Sequence, residues 1–237
     1  MKQFKTIYKE YITEGVYDPG IFKAFFLAGG PGSGKTFITQ SAFAGTGLKV
    51  VNSDAAFERG LRQANLSLKM PDEEEYFRNL IRQKAKTTTS TALDTYLQGR
   101  LGLVIDATGR DLQLVQNQYS SLRNYGYDCY MIFVNTNLKI AIERNSKRER
   151  VVPEYVVKSN WDKVQQNIGA FQRMFSPNKM LIIDNNRSEQ ELVTSVLNTA
   201  SKFIRSRLRT KPENSIAMSW IKKELELKKR IWDLKTS

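Results

Sequence analysis

The sequence contains no histidine and a single cysteine, Cys129. Without histidine there is no imidazole to act as general base, to complete a Ser-His-Asp triad or to ligate a metal. One thiol excludes an intramolecular disulfide and any cysteine-rich zinc site. Acid–base chemistry therefore falls to Asp, Glu, Lys or Tyr. No apolar run reaches the length of a membrane span, and the opening Met1-Lys2-Gln3-Phe4-Lys5 lacks the apolar stretch of a signal peptide. These absences predict a soluble chain in a reducing, cytoplasmic setting with no membrane partner. Acidic residues are also few: 24 Asp and Glu stand against 37 Lys and Arg, a net charge of +13. Such a charge favours an anionic partner, nucleotide or nucleic acid, although a solvated basic surface accounts for it equally well.

A chain of 237 residues is long enough for one domain with an appendage. Phe4, Ile7, Tyr8, Tyr11 and Ile12 recur at helical spacing and predict an N-terminal helical segment over 1–20, closed by Gly15 and Asp18-Pro19-Gly20. Ile21–Ala28 reads as a buried parallel strand. Further strands are expected at Leu48–Asn52, Leu101–Asp106, Tyr127–Asn135 and Met180–Asp184, with helices between them. Alternation of this kind implies a parallel α/β sheet with right-handed crossovers. The helix opening at Pro71-Asp72 runs toward Gly99, and its Thr87–Thr91 stretch is a candidate kink. A long helix is expected from Pro153, with Val157, Trp161, Val164, Ile168, Phe171 and Phe175 on a core-facing side. Lys211-Pro212 marks a boundary. Beyond it, Ile216, Trp220, Leu227, Ile231 and Leu234 are expected to line one face of a basic helix that docks on the core, with nucleic-acid binding and assembly as the other readings of this tail. Residues 202–237 hold 11 Lys and Arg against 4 Asp and Glu, so this tail carries +7 of the net charge.

Gly29-Gly30-Pro31-Gly32-Ser33-Gly34-Lys35-Thr36 fits G-x-x-x-x-G-K-[ST] in full, and it lies between an expected strand and an expected helix. Glycines let backbone N–H groups converge on phosphate oxygens, and the helix N-terminus adds positive potential. In such a loop Lys35 reaches the β- and γ-phosphates, and the Thr36 hydroxyl ligates Mg²⁺.

Asn52-Ser53-Asp54 ends the second strand. The carboxyl ends of neighbouring parallel strands face one crevice, which places Asp54 beside the γ-phosphate as a proton acceptor for an attacking hydroxyl. A helix N-cap is its bland alternative. Asp106 closes the third strand where a Mg²⁺-organising carboxylate belongs, and Thr108 follows as a phosphate or substrate contact. Arg144 and Arg148 lie four apart in Arg144-Asn145-Ser146-Lys147-Arg148-Glu149-Arg150, a charged stretch suited to a mobile arginine lid. A second basic set comprises Arg59, Arg62, Lys69, Arg78, Arg82, Lys84 and Lys86.

Taken together, the phosphate loop, Asn52-Ser53-Asp54 and Arg144–Arg148 followed by Val152-Pro153 resemble the kinase domain of the phage polynucleotide 5′-kinases, with the zeta-toxin kinases as close relatives. The resemblance covers about residues 21–185 and is most specific in the lid. It implies an α/β P-loop kinase core over 21–208, built on a central parallel sheet of four or five strands with strands two and three on one side. A lid at about 144–152 and a basic helical C-terminal extension over 209–237 complete the expected organisation. It further implies ATP and Mg²⁺ as cofactors, Lys35 and Thr36 as their ligands, and Asp54 as the base. Arg144 and Arg148 match the lid arginines that clamp the donor phosphates, with Arg150 as an extra candidate. A phage-encoded member would work in the host cytoplasm.

Two positions depart from the polynucleotide kinase pattern. Phe57 stands where an arginine is usual three residues after the base, with Arg59 near but off register. Ala107 stands where an acid usually precedes the third-strand threonine, and Asp106-Ala107-Thr108 is closer to the zeta kinases, whose acceptor is a nucleotide sugar. The expected activity is transfer of the ATP γ-phosphate to a hydroxyl, first the 5′-hydroxyl of a polynucleotide and second a hydroxyl of a nucleotide sugar or other metabolite. A non-kinase protein that uses ATP as an assembly switch is the third reading.

Overall fold

The computed structural model describes residues 15–106, 108–186 and 190–236. The N-terminal helix expected from Phe4 to Ile12, and Ala107, lie outside the described residues. Five strands form one parallel sheet: β1 (Lys23–Ala28), β2 (Lys49–Val51), β3 (Leu103–Asp106), β4 (Asp128–Asn135) and β5 (Met180–Asp184), in spatial order β2-β3-β1-β4-β5. Eight α-helices connect or follow them: α1 (Lys35–Ala42), α2 (Ser53–Gln63), α3 (Glu75–Gln98), α4 (Leu112–Asn124), α5 (Leu138–Ser146), α6 (Glu154–Lys179), α7 (Gln190–Leu208) and α8 (Ser215–Thr236). The sheet is the five-stranded, helix-flanked one expected, with strands two and three on the same side of β1.

Every residue of β1 is buried, because helices cover both faces of the central strands. Phe26 and Ala28 face one side with Phe133, Phe171 and Phe175, while Phe25 and Leu27 face the other with Ile38, Tyr130 and Ile204. Alternate residues thus serve two cores, and each large apolar side chain so buried contributes about 1.5–3 kcal/mol. The α6 stripe packs as the sequence predicts, with Val157, Val164, Phe171 and Phe175 buried.

α3 runs unbroken across the threonine stretch, contrary to the expected kink. The hydroxyls of Thr87, Thr88, Thr89, Thr91 and Thr95 each donate to the carbonyl four residues earlier, so the helix absorbs them. The break in this molecule comes instead near the end of α6, where Ser176 has φ 57° immediately before Pro177.

The C-terminal extension does dock, but with a shorter face than expected. Asn214 caps α8 through Ile216 N, Ala217 is fully buried, and Trp220 packs edge-on to Phe22 with Arg100 over its ring. Trp220 and Ile221 complete the docked face. Ile216, Leu227, Ile231 and Leu234 are exposed, so the face that meets the core is Ala217, Trp220 and Ile221.

Cys129 is buried in β4 and its Sγ donates to the Tyr127 carbonyl. Burial pushes the thiol up to about 12. An aromatic disulfide reagent at pH 8 is therefore expected to leave the native protein unmodified and to react with one thiol per chain after unfolding. Rapid labelling of the native state would contradict this placement.

Candidate functional site

The phosphate loop spans the gap between β1 and α1. Gly32 (φ 78°) and Gly34 (φ 95°) adopt left-handed backbone conformations that favour glycine. A side chain at Gly32 would strike the Ala141 carbonyl, and one at Gly34 would strike Asn185. The loop's crest is held from β4 and β5. Thr136 Oγ1 donates to the Ser33 carbonyl at 3.2 Å, and Asn185 Nδ2 donates to the same oxygen at 2.7 Å. Ser33 Oγ is buried with no hydrogen-bond partner among the described residues.

Lys35 Nζ folds back onto the loop, donating to the Gly29 carbonyl at 2.5 Å and the Gly30 carbonyl at 3.4 Å. Burial lowers its pKa, opposed by Asp106 and Asp54 and assisted by Arg148. The lysine is thus held inside the loop with two carboxylates and one arginine in its field. Thr36 is exposed at the start of α1. The main chain of the third strand's end also supports the loop, since Gly29 N donates to the Thr108 carbonyl at 3.0 Å.

Asp106 and Asp54 sit at the carboxyl ends of β3 and β2, as expected for adjacent parallel strands. Asn52 couples them. Its Nδ2 donates to Asp106 Oδ2 at 2.7 Å, and its Oδ1 accepts from Asp54 N at 2.7 Å. Asn52 rather than Asp54 is therefore the N-cap of α2, which leaves the Asp54 carboxylate unspent by capping. Sequence reading passed over Asn52. Its signal was an amide with one donor end and one acceptor end between two expected site carboxylates. Burial raises the Asp106 pKa, with Asp54 adding and Lys35 and the Asn52 bond opposing.

The lid is a closed loop. Asn145 Nδ2 donates to the Val152 carbonyl at 2.7 Å and its Oδ1 accepts from Val152 N at 3.2 Å, so residues 145–152 are clasped at the base. Arg144 Nη1 donates to the Asn185 carbonyl at 2.9 Å, which connects the lid helix to the loop crest through Asn185. Arg148 is exposed at the lid and lies within the field of Lys35.

Arg150, expected with the donor phosphates, instead reaches the other side of the crevice. Its guanidinium is 3.4 Å from Asp54 Oδ2 and 3.1 Å from Glu58 Oε1, and only 12% of its side chain is exposed. Arg62 pairs with Glu149 at 2.9 Å and ties the same lid to α2. Arg59 is exposed and points away from Asp54, about 140° around α2 from it. Of the remaining basic set, Arg78 bonds the Pro71 carbonyl and Arg82 stacks on Phe57, while Lys69, Lys84 and Lys86 face solvent.

The loop fits a nucleoside triphosphate: its glycines hold left-handed conformations, Lys35 is held inside it, and the Ser33 hydroxyl has no partner among the described residues. Thr36 and Asp106 supply a hydroxyl and a carboxylate suited to Mg²⁺. No group of three or more acidic or cysteine side chains arranged to hold a metal occurs among the described residues, so such an ion would complete its shell from phosphate and water. Among the described residues no helix is long and apolar enough to cross a membrane.

Comparison with known proteins agrees with this geometry. No curated protein matches the sequence. A candidate kinase from Chloroflexus aurantiacus superposes with a TM-score of 0.50 at 16% identity, covering 79% of this chain and 98% of the other. The AvrRxo1-ORF1:AvrRxo1-ORF2 complex superposes with a TM-score of 0.56 at 13% identity, covering 88% and 83%. Shikimate kinase from Acinetobacter baumannii gives 0.46 at 14% identity, covering 82% and 99%. At these identities the first two likenesses are of fold alone. The family described as AAA domain (AAA_33) matches residues 25–171, well over half of the chain. With its phosphate loop, five-stranded parallel sheet and flanking helices, the chain belongs to the AAA domain family and has a P-loop kinase-like fold.

Proposed function

We propose that the protein is an ATP-dependent kinase that transfers the γ-phosphate to a hydroxyl, with the 5′-hydroxyl of a polynucleotide as acceptor. The observation that carries this reading is the Asp54 carboxylate, paired with Arg150 at 3.4 Å and lying in the field of the loop's Lys35.

In this mechanism the loop N–H groups and Lys35 hold the β- and γ-phosphates, which frees Lys35 from the Gly29 carbonyl. Thr36 and Asp106, the latter oriented by Asn52, would hold Mg²⁺, which would supply neutralisation of the phosphate charge. Asp54 accepts the acceptor's proton as its oxygen attacks phosphorus in line. Arg144 and Arg148 stabilise charge on the transferring group from the lid. Thr108, whose carbonyl accepts from Gly29 N, would contact phosphate or substrate beside the loop.

Support for a polynucleotide comes from the likeness of the lid sequence to polynucleotide 5′-kinases and from the basic surface. The Asp106-Ala107-Thr108 sequence favours a second reading, a zeta-like kinase of a nucleotide sugar. Incubation with γ-labelled ATP, Mg²⁺ and 5′-hydroxyl oligonucleotides of graded length tests the choice. Label at the 5′ end is the expected result, falling steeply as salt is raised because phosphate contacts release counterions. Label on a nucleotide sugar and none on any oligonucleotide would replace the first reading by the second.

A further inference from the structure

Phe57 is buried in α2 with guanidinium groups near its ring. Arg82 Cζ, from α3, lies 3.9 Å from the ring centroid, and Arg150 Cζ, from the lid, lies 5.9 Å from it. Arg150 also contacts Asp54, and Asp54 itself lies in the field of Arg82. Arg110, which follows β3, and Arg78, one turn back on α3, both lie in the field of Arg82.

The partners of these four arginines differ. Arg150 has Asp54 and Glu58, Arg78 has the Pro71 carbonyl and Arg110 has Asn160 Oδ1. Arg82 has the Phe57 ring and no hydrogen-bond acceptor among the described residues. Its charge is nevertheless half-buried among like charges. Burial is the first cause lowering its pKa, Asp54 opposes, and Arg150, Arg78 and Arg110 lower it further. Stacking on one ring contributes about 0.5–1 kcal/mol at exposed sites and up to about 2 when desolvated, and it leaves the guanidinium donors unused. A stacked guanidinium keeps its planar fork fixed and open at the edge, the arrangement that receives two oxygens of a phosphate. Arg110 also lines a polar cleft with Asp111, Leu112, Lys163, Gln166 and Asn167.

We infer that Arg82, flanked by Arg78 and Arg110, binds a phosphate of the acceptor, so that the substrate is a hydroxyl compound already bearing phosphate near the reacting hydroxyl. The inference rests on the reading of Asp54 as the acceptor's base. It also accounts for Phe57: the position where polynucleotide 5′-kinases typically place an arginine holds the ring on which an arginine from another helix lies. The 3′-phosphodiester of a polynucleotide and the diphosphate of a nucleotide sugar share this chemistry.

The test is equilibrium binding by calorimetry without ATP. The ligands are thymidine, thymidine 3′-monophosphate and a uridine diphosphate sugar, each with wild type, Arg82→Gln and Arg82→Lys. A phosphorylated ligand is expected to bind at least about tenfold more tightly than thymidine, the margin of a charge-assisted bidentate contact. Arg82→Gln should abolish most of that margin, and Arg82→Lys, which keeps charge but loses the fork, should retain part of it. ADP affinity should stay within about twofold in both variants, which shows that the fold and loop are intact. Tighter binding of thymidine 3′-monophosphate assigns the phosphate to a polynucleotide, and tighter binding of the diphosphate sugar assigns it to a nucleotide sugar. Equal binding of thymidine and both phosphorylated ligands, or a margin untouched by Arg82→Gln, overturns the inference. Transfer from ATP is measured separately. An Arg82-dependent margin without any transfer keeps the anion site and removes the kinase reading, and transfer without the margin does the reverse.

Discussion

Replacing Asp54 by Asn is expected to lower the rate of phosphoryl transfer by about 10²- to 10⁴-fold, the range associated with general acid–base groups, and to leave ADP affinity almost unchanged. The two effects separate because the nucleotide is held elsewhere. In the proposed mechanism loop amides, Lys35 and Thr36 form the donor site, and Asp54 touches none of the loop's hydrogen bonds in this structure. Asparagine preserves the shape and the α2 N-terminus, since the cap is the Asn52 side chain bonding the residue-54 backbone. It removes the negative charge that accepts a proton and one of the two carboxylates that hold Arg150. The lost ion pair is half-exposed on the Asp54 side, so its own contribution to stability is under about 1 kcal/mol. Single-turnover transfer measured beside ADP binding and thermal melting checks the whole expectation. Transfer within a few-fold of wild type would remove Asp54 from the chemistry.

The second large effect concerns stability at the opposite end of the sheet. Lys23 and Asp128 open β1 and β4, stand opposite each other in register, and are fully buried, with Nζ 3.2 Å from Oδ2. Arg123 approaches the other carboxylate oxygen at 3.3 Å, and Glu213 N donates to Oδ2 at 2.7 Å. Lys23 also donates to Tyr130 Oη and to the Lys211 carbonyl. Asp128 thereby ties the sheet to the linker that leads into α8. Asp128→Ala leaves a buried ammonium without its counter-charge, and removing one member of a buried pair costs about 3–5 kcal/mol. For a chain of this size that corresponds to a fall in Tm of roughly 6–20 °C. The same variant should expose the 209–214 linker to limited proteolysis while the core is still folded. The double variant Lys23→Met, Asp128→Leu should recover much of the loss, because an apolar pair avoids the desolvation that the ion pair pays. A fall in Tm of only 1–2 °C for Asp128→Ala, about the effect of an exposed pair, would contradict the buried-pair account.

Burial is also the first cause that lowers the Lys23 pKa, ahead of the opposing pull of Asp128. The unfolded chain binds this proton more readily than the folded one. The cost is fully present below the lowered folded value and disappears as pH rises through the ordinary lysine range. Lys23 thus makes the pair a source of specificity between β1 and β4 more than of net stability near neutral pH.

Much of the donor side was legible in the sequence because its signals are local. Eight consecutive residues form the phosphate loop, and strand and helix periodicities on either side place it between β1 and α1 without reference to any distant residue. Asp54 and Asp106 were legible as residues at strand ends, since a short apolar run followed by a helix start marks a carboxyl edge. The acceptor side was not legible. Arg59 looked nearer to Asp54 than Arg150 or Arg82, being five residues away in sequence. A separation of five on a helix turns it aside, while Arg150 and Arg82 arrive from the lid and from α3. The partner of Lys23 was not legible either, because only the β1–β4 pairing sets Asp128 beside it, 105 residues away.

By itself, then, the sequence determined the class of fold, the phosphate loop and the two strand-end carboxylates, because backbone propensity, hydrophobic period and turn chemistry act over a few residues. Only the tertiary structure decided which arginine meets which carboxylate, which helix turns dock and what partners a buried lysine. Those choices depend on the course of the chain between distant segments, and charge and hydrogen bonding act on the separation in space that this course sets.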